Sequence, residues 1–496
     1  MAMAMSSFSL SLPATNPKIY SGSSFSVVLH RRPRPTRSRA ASCSLSDPFV
    51  IEIAEKLEDS LSSSSSSSSS PSLQKLRDLS SQSLLTHPWP TPKQEPFRFY
   101  SFHSLTKTPI FPTSSPPPLA LPPTALSLSS PLPILIPILD GHFIPSLSHL
   151  SSTTPPELYI GSISQNLPPS FSSHLLDYLS HPPEGDLFSA LNGVGAPDVL
   201  LIHVPSGCKV QDPIHLVFLS SQGRGGSDSD HCIPMSNPRV LIWVEKDGEV
   251  SIVEEYAGDG SPERRAYWTN SVVEFVMDNC ASVSHSYIQG QAENSTHIKW
   301  TFVHQGSCSS YTLVETSTGG ELSRHNLHIQ QMGPDTVTEL STFHLCGSKQ
   351  IQDLHSRLVL DHPRGYSRQL HKCIVANSSA KAVFDGNIKV NRKAQQTDAG
   401  QLTRSLLLAP QATVNVKPNL QIVADDVKCS HGAAISDLED DQLFYFRARG
   451  VDLQTARNAL VFSFGAEVME RLPHKDLRKK VESDVKGLLA AKGAFQ

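Results

Sequence analysis

Between residues 198 and 422 apolar positions come in short runs broken by turn residues, with no helical period between them. The runs "VLLIHV", "IHLVFLS", "RVLIWVE", "VSIVEEY", "SVVEFVM", "SHSYIQG", "IKWTFVH" and "YTLVETS" have the β-branched and aromatic content of strands. Beyond residue 327 the rhythm is measurable. Apolar strand cores end at Ile329, Leu345, Leu360, Val375, Val390, Leu408 and Ile422, spaced 16, 15, 15, 15, 18 and 14 residues apart. The gaps "MGPD", "CGSK", "DHPRGY", "ANSSA" and "VNRK" supply turn formers. A strand-plus-turn repeat of near-constant length predicts a β-solenoid, with two repeats in each flattened rung. A β-sandwich also has short strands, but at about 8–12-residue spacing and without this constancy.

Helical periodicity is confined to the flanks. "DPFVIEIAEKLEDSL" and "PSLQKLRDLSSQSLL" predict two helices within 47–86, separated by the serine run 62–70, which reads as a flexible insertion. From Pro88 to Pro156 there are 17 prolines, so this stretch is expected to be neither helix nor central strand, but irregular chain laid against something larger. After His431, "SDLEDDQLFYFRARG" places Ser436 and Glu439 in capping-box spacing and ends at Gly450. Asp452 opens a second helix, which Pro473 stops. Leu453, Ala456, Leu460, Phe464 and Val468 make its apolar stripe, with Val461 and Phe462 as a second apolar surface. "KDLRKKVESDVKGLLAAKG" is a third amphipathic helix.

Composition refines this picture at the N-terminus. Residues 1–46 hold no Asp or Glu, six Lys or Arg and many serines, the pattern of a transit peptide, with the late arginine cluster favouring a plastid. Those six cations belong to a chain total of −4, so the remainder carries −10, which argues against nucleic-acid binding. No run of 18 apolar residues occurs, so no membrane insertion is expected. The eight cysteines form no CxxC pair and no disulfide ladder, and most are expected to be free thiols.

Candidate chemistry is sparse. No GxxxxGK[ST], no GxGxxG after a strand and no GxSxG is present, so no nucleotide is expected on a P-loop of this chain. Three histidine–cysteine pairs lie two residues apart: His344/Cys346, His371/Cys373 and Cys429/His431. The first two read as ordinary strand residues. The third, in "ADDVKCSHG", follows the last recognised strand core and precedes the helices. If extended, it points Cys429 and His431 to one face, ~7 Å apart. Two ligands are half of a closed metal site, which wants four. An alternative is a carbohydrate-active β-helix lyase or hydrolase using Asp353, Asp361, Asp385, Asp398, Asp425 and Asp426. Most of these are expected in turns, where Asp is common, and aromatic residues to line a sugar groove are few.

The stretch "KPNLQIVADDVKCSHGAAISDLEDDQLFYFRARGVDLQTARNAL" closely resembles the C-terminal signature of the SufB/SufD family of iron–sulfur cluster assembly proteins. "HPWPTPKQEPFRFYSFHSL" is similar to the family's N-terminal segment, with Phe97 where tryptophan is usual. Thr403-Arg404-Ser405 stands where SufB carries a "CDS"-like triplet, and His431 where SufB has glutamate, so the likeness is to the plant SufD branch. The resemblance implies a mostly β chain with α: a right-handed parallel β-helix flanked by N- and C-terminal helical regions. The organisation is then 1–46 transit peptide, 47–156 N-terminal helical and Pro/Ser-rich region, 157–432 β-helix and 433–496 C-terminal helical domain. It also implies a non-catalytic scaffold of the plastid stroma, pairing with SufB through the β-helix end and docking the SufC ATPase on the C-terminal helices. A transient iron–sulfur cluster would form at the SufB interface, with His431 as the iron ligand and Cys429 as second candidate. The second apolar surface of the Asp452 helix would be the SufC contact.

Overall fold

The structure, a computed structural model, describes residues 47–64, 70–113, 132–164, 183–221, 232–258 and 266–491, together with 167, 171, 175, 177–179 and 181. The transit peptide expected at 1–46 lies outside the described residues, as do serines 65–69. The N-terminal strands are β1 (Ile110–Pro112), β2 (Ile134–Leu139), β3 (His142–Phe143), β4 (Tyr159–Ser162), β5 (Leu200–Val204), β6 (Ile214–Ser220), β7 (Ile233–Ser236) and β8 (Arg239–Val244). Then follow β9 (Glu249–Gly258), β10 (Trp268–Met277), β11 (Ser282–Gln289), β12 (Thr296–Gln305), β13 (Ser310–Ser317), β14 (Leu322–Gln331) and β15 (Val337–Cys346). The last are β16 (Ile351–Leu360), β17 (Tyr366–Val375), β18 (Lys381–Val390), β19 (Asp398–Leu407), β20 (Thr413–Ile422) and β21 (Lys428–Ser436). The helices are α1 (Pro48–Ser64), α2 (Pro71–Leu84), α3 (His103–Lys107), α4 (Leu187–Gly195), α5 (Asp440–Arg447), α6 (Leu453–Met469) and α7 (Lys475–Ala491).

From β8 onward consecutive strands alternate between two parallel sheets, ordered β20-β18-β16-β14-β12-β10-β8-β5-β4 and β21-β19-β17-β15-β13-β11-β9-β6-β2-β3. Two strands therefore make one rung, and the fifteen-residue repeat is a parallel β-solenoid, as its period predicts. Inward residues such as Val273, Ile329, Leu358 and Ile388 from one sheet and Val283, Leu313 and Leu340 from the other form the main core. At one corner the left-handed position of each turn is held by a residue other than glycine. Asp247, Cys280, Cys308, Asp335, Arg364 and Gln396 all have φ between 57° and 60°. Each donates its backbone N–H to the following rung, as Cys280 does to Ser307 O at 2.8 Å and Arg364 to Gln395 O at 2.9 Å. That ladder offsets the cost of a left-handed backbone at non-glycine residues.

The outer faces are covered unequally. Trp89, Phe97, Tyr100 and Phe102, from the proline-rich stretch, pack with Phe188 of α4 and with Trp268 of β10, on the sheet of the even-numbered strands. Arg324 Nη1 reaches Pro96 O (2.9 Å) and Asp353 (2.7 Å), and the Tyr100 hydroxyl donates to Asp353, tying this segment down. The stretch is more ordered than its prolines suggest, since it contains α3 and β2. Pro137 sits inside β2, in register with Val217 of β6. Its carbonyl accepts from Ile144 N on the hairpin side, so its missing N–H faces that irregular side and not β6. The solenoid sheets thus begin before 157, and β21 carries them past 432 to Ser436.

The odd-numbered sheet is covered by α6 and α7, whose Val461, Val468, Met469, Val481 and Val485 meet Val253, Val314, Phe343 and Leu345. A Cβ on Gly465 would lie 2.7 Å from the Phe343 ring, so glycine permits the close approach. Asp452 caps α6 by accepting from Thr455 N at 3.0 Å, as expected. The expected stripe is rotated, because Leu453 is exposed while Val461 and Gly465 are buried. The capping box does not form either. Ser436 pairs with Leu406 as the last residue of β21, and Glu439 becomes the N-cap of α5. Serines 62–64 extend α1 and do not belong to the insertion. No helix among the described residues is long and apolar enough to cross a membrane.

Candidate functional site at the open end of the solenoid

The solenoid has one covered and one uncovered end. At the first rungs, β4 and β3 run antiparallel to their neighbours β5 and β2 and close the sheets, β3 through a short hairpin and β4 through a long connection that includes α4. At the other end β20 and β21 are the outermost strands of their sheets, in-register copies of the strands before them with no further rung among the described residues. Ile422, Val423, Ile435 and Leu402 are 45–54% exposed there. Two adjacent strand edges with free backbone groups and an apolar fringe form a surface for pairing with another chain.

Cys429 and His431 are within this last rung, inside β21 and not after the final strand as their sequence position suggests. Cys429 packs against the main solenoid core, in register with Ala399. His431, two residues on, shares its face, as the extended reading expects. His431 is exposed and stands in register with Gln401. Gln401 is buried and donates from Nε2 to Gln369 Oε1 at 2.8 Å, and Gln369 Nε2 donates to Ser356 Oγ at 2.6 Å. An inward polar column thus ends in the imidazole. Burial pushes the Cys429 thiol up, with Asp398 adding to it, although the Ala399 N–H opposes. The thiol is therefore protonated at neutral pH until a metal or base displaces the proton. Among the described residues no group of three or more His, Cys, Asp or Glu side chains is placed to hold a metal ion.

The other pairs are interior residues. His344 Nε2 lies 2.8 Å from Glu315, and His371 Nδ1 lies 2.7 Å from the Thr342 hydroxyl with its ring stacked on Phe384. Cys346 and Cys373 are buried together beside Val375 and Ala382. Three of the six aspartates are committed to ion pairs: Asp353 with Arg324, Asp385 with Lys417 (3.0 Å) and Asp398 with Arg368 (3.0 Å). These three lie in strands and only Asp361, Asp425 and Asp426 in turns, contrary to the expectation for most of them.

Sequence reasoning missed a polar network within the solenoid. Lys299 Nζ and His285 Nε2 meet Glu254 at 2.6 and 2.9 Å, and His325 and His344 clasp Glu315 at 2.9 and 2.8 Å, all without solvent contact or nearly so. Burial works against both carboxylates, but Lys299 with His285 for Glu254, and His325 with His344 for Glu315, together outweigh it and hold them well below the usual range. The available signal was a charge at an inward position of an otherwise apolar strand, as in "IKWTFVH" and "YTLVETS".

The apolar surfaces of the C-terminal helices are also redistributed. Val461 faces the solenoid, Lys486 covers the Phe462 ring, and Lys372 covers Phe464 while donating to its carbonyl at 2.9 Å. The second apolar surface of α6 is therefore occupied by this chain itself. What remains open is Phe444 (73% exposed), Tyr445 and Leu453.

Comparison with known proteins gives this geometry a family. Residues 226–464 match the model of the SUF system FeS cluster assembly, SufBD core domain. The chain is 53% identical over 456 residues to protein ABCI7, chloroplastic, of Arabidopsis thaliana, covering 90% of this chain and 92% of that one. It is 36% identical to the iron–sulfur cluster assembly SufBD family protein slr0076 of Synechocystis, over 70% of this chain and 76% of that one. To the iron–sulfur cluster assembly protein SufD of Escherichia coli it is 28% identical, over 72% and 79%.

Proposed function

Because the chain belongs to the SufBD family of iron–sulfur cluster assembly proteins, we propose that it is the SufD-like, non-catalytic scaffold subunit of a plastid SufB–SufC–SufD complex. The observation that carries this reading is the uncovered last rung, where β20 and β21 leave two strand edges and an apolar fringe around Cys429 and His431. SufB pairs with that end. The nascent cluster, the cargo of the complex, sits at the junction, with His431 donating one ligand from its imidazole and Cys429 in reserve behind it. SufB supplies the remaining ligands, since two donors do not close a site.

The SufC ATPase docks on the C-terminal helices at Phe444, Tyr445 and Leu453, the apolar side chains that α5 and α6 leave open. Hydrolysis belongs to SufC, and this chain binds no nucleotide. Residues 1–46 carry the chain to the plastid stroma, in keeping with the chloroplastic designation of the Arabidopsis relative. The test is co-purification of the chain lacking residues 1–46 with SufB and SufC, then anaerobic reconstitution and iron quantification. Failure to form the ternary complex, or a complex that takes up no iron, overturns the reading.

A further inference from the structure

A cavity of about 410 Å³ lies between the outer face of the even-numbered sheet and the segments 95–97 and 184–186, away from the last rung's Cys429 and His431. Its floor is a grid set by strand register. Trp300, Asn326, His355, Asp385 and Lys417 form one cross-strand row, and Phe302, His328, Arg357 and Asn387 form the next.

The two rows differ in how their polar groups are matched. In the first, Lys417 meets Asp385 at 3.0 Å and Glu95 at 2.8 Å. His355 Nε2 lies 3.0 Å from Asp353, which also pairs with Arg324. In the second row Arg357 and His328 stand without partners. Arg357 is exposed at the cavity and has no ion pair or hydrogen bond among the described residues. His328 Nε2 is buried with no partner. Asn326 is the exception in the first row: it is only 4% exposed and its amide is oriented, because Oδ1 accepts from Arg324 Nε at 3.1 Å. That leaves Asn326 Nδ2 buried and unpaired on the cavity wall. A cation, a buried amide donor and a buried imidazole nitrogen on adjacent strands, beside acids that already have their cations, are suited to an acceptor from outside the chain.

We propose that this cavity is a binding site for a small oxyanion, a carboxylate or a phosphate, held by Arg357, Asn326 Nδ2 and His328 protonated at Nε2. On the opposite wall Asp186 Oδ1 is committed to Phe188 N, Ser189 N and Trp300 Nε1, while Oδ2 is buried without a donor. A ligand hydroxyl beside the oxyanion satisfies that oxygen, so a hydroxy acid fits better than a plain acid. The Trp300 ring, stacked on Phe302 at 4.9 Å, gives the carbon skeleton a flat wall.

The test is calorimetric titration of the full chain with L-malate, succinate and inorganic phosphate, each against a chloride blank. The expected result is saturable binding of at least one oxyanion below about 10 mM. Malate should bind more tightly than succinate, and a preference for phosphate over both would identify the oxyanion as phosphate. Arg357→Gln, at an exposed position that leaves the fold intact, should weaken binding by about tenfold or more. Asn326→Asp keeps the acceptor for Arg324 and turns a carboxylate on the ligand, so it should abolish binding. No saturable heat with any of the three probes, or affinity unchanged in Arg357→Gln, overturns the site. Equal affinity for malate and succinate removes Asp186 from it.

Discussion

Gln401 and His431 stand side by side in register on the last two strands of one sheet, yet Gln401 is 3% exposed and His431 lies open to solvent. One rung separates the interior of the solenoid from its uncovered end. Removing the exposed imidazole should therefore alter little of the fold. His431→Ala is expected to change unfolding free energy by no more than about 0.5 kcal/mol, as for other surface positions. Iron bound per reconstituted ternary complex should fall sharply, with His431→Cys retaining part of it as a soft ligand. Undiminished loading in His431→Ala, or loss confined to Cys429→Ser, would shift the ligand to the thiol.

The apolar fringe of that end predicts where the partner pairs. Ile435→Asp and Val423→Asp place a charge at half-exposed positions, so the isolated chain should fold with its thermal midpoint little changed. Association with SufB should weaken by at least about tenfold, from the cost of burying an unpaired carboxylate. Size-exclusion chromatography of the mixed subunits reads this directly, and an intact heterodimer would place the contact elsewhere.

Two phenylalanines on neighbouring helices should behave oppositely. Phe464 packs beneath Lys372 against the solenoid, so Phe464→Asp should cost roughly 2–4 kcal/mol of stability and lose ATPase binding only through misfolding. Phe444 is 73% exposed, so Phe444→Asp should leave the melting curve in place and remove ATPase co-elution. Co-elution that survives Phe444→Asp, Tyr445→Asp and Leu453→Asp would exclude this surface.

Buried imidazoles set an acid limit on stability. Burial first, then Lys299 and His325, brings His297 down to about 3, and burial with Arg357 and His304 brings His328 down to about 4. Burial also leaves His304 and His371 below the ordinary histidine range. In the unfolded chain these groups titrate near 6.5, so on acidification the unfolded state binds protons first. Their contribution is complete above about pH 6.5 and is lost as pH falls toward the folded values. Glu254 and Glu315, held low, add a loss in the same direction below about pH 4.5. The unfolding free energy extrapolated from urea titrations should drop steadily from pH 7 to 4, by at least about 3 kcal/mol in total. A flat profile would mean that these imidazoles are hydrated in solution.

Lys299→Met probes the interior network. It leaves Glu254 fully buried with His285 as its remaining charge partner, and should cost about 3–5 kcal/mol. Lys299→Met combined with Glu254→Gln should recover part of that loss, because a neutral amide needs no counter-charge. Failure of the double variant to recover would assign the loss to packing.

The chain's own pattern determined its period, its alternation of strand and turn, the Asp452 cap and the common face of Cys429 and His431, because each depends on neighbours in sequence. It did not determine β21. "KCSHGAAIS" has no apolar run to mark a strand, and it is extended because it completes the backbone hydrogen bonds of Asp398–Leu407 beside it. The same pairing holds Ser436 in the sheet and away from the helix cap its spacing suggested. Tertiary structure alone put Lys299 against Glu254 across the lumen, turned Phe464 inward and left Phe444 out. Those outcomes depend on which surface a neighbouring rung or helix covers, and a burial pattern of that kind is a property of contacts between residues far apart in the chain. The open end is decided in the same way: β20 and β21 resemble the strands before them, and only the absence of a following rung turns Cys429 and His431 from interior residues into a surface.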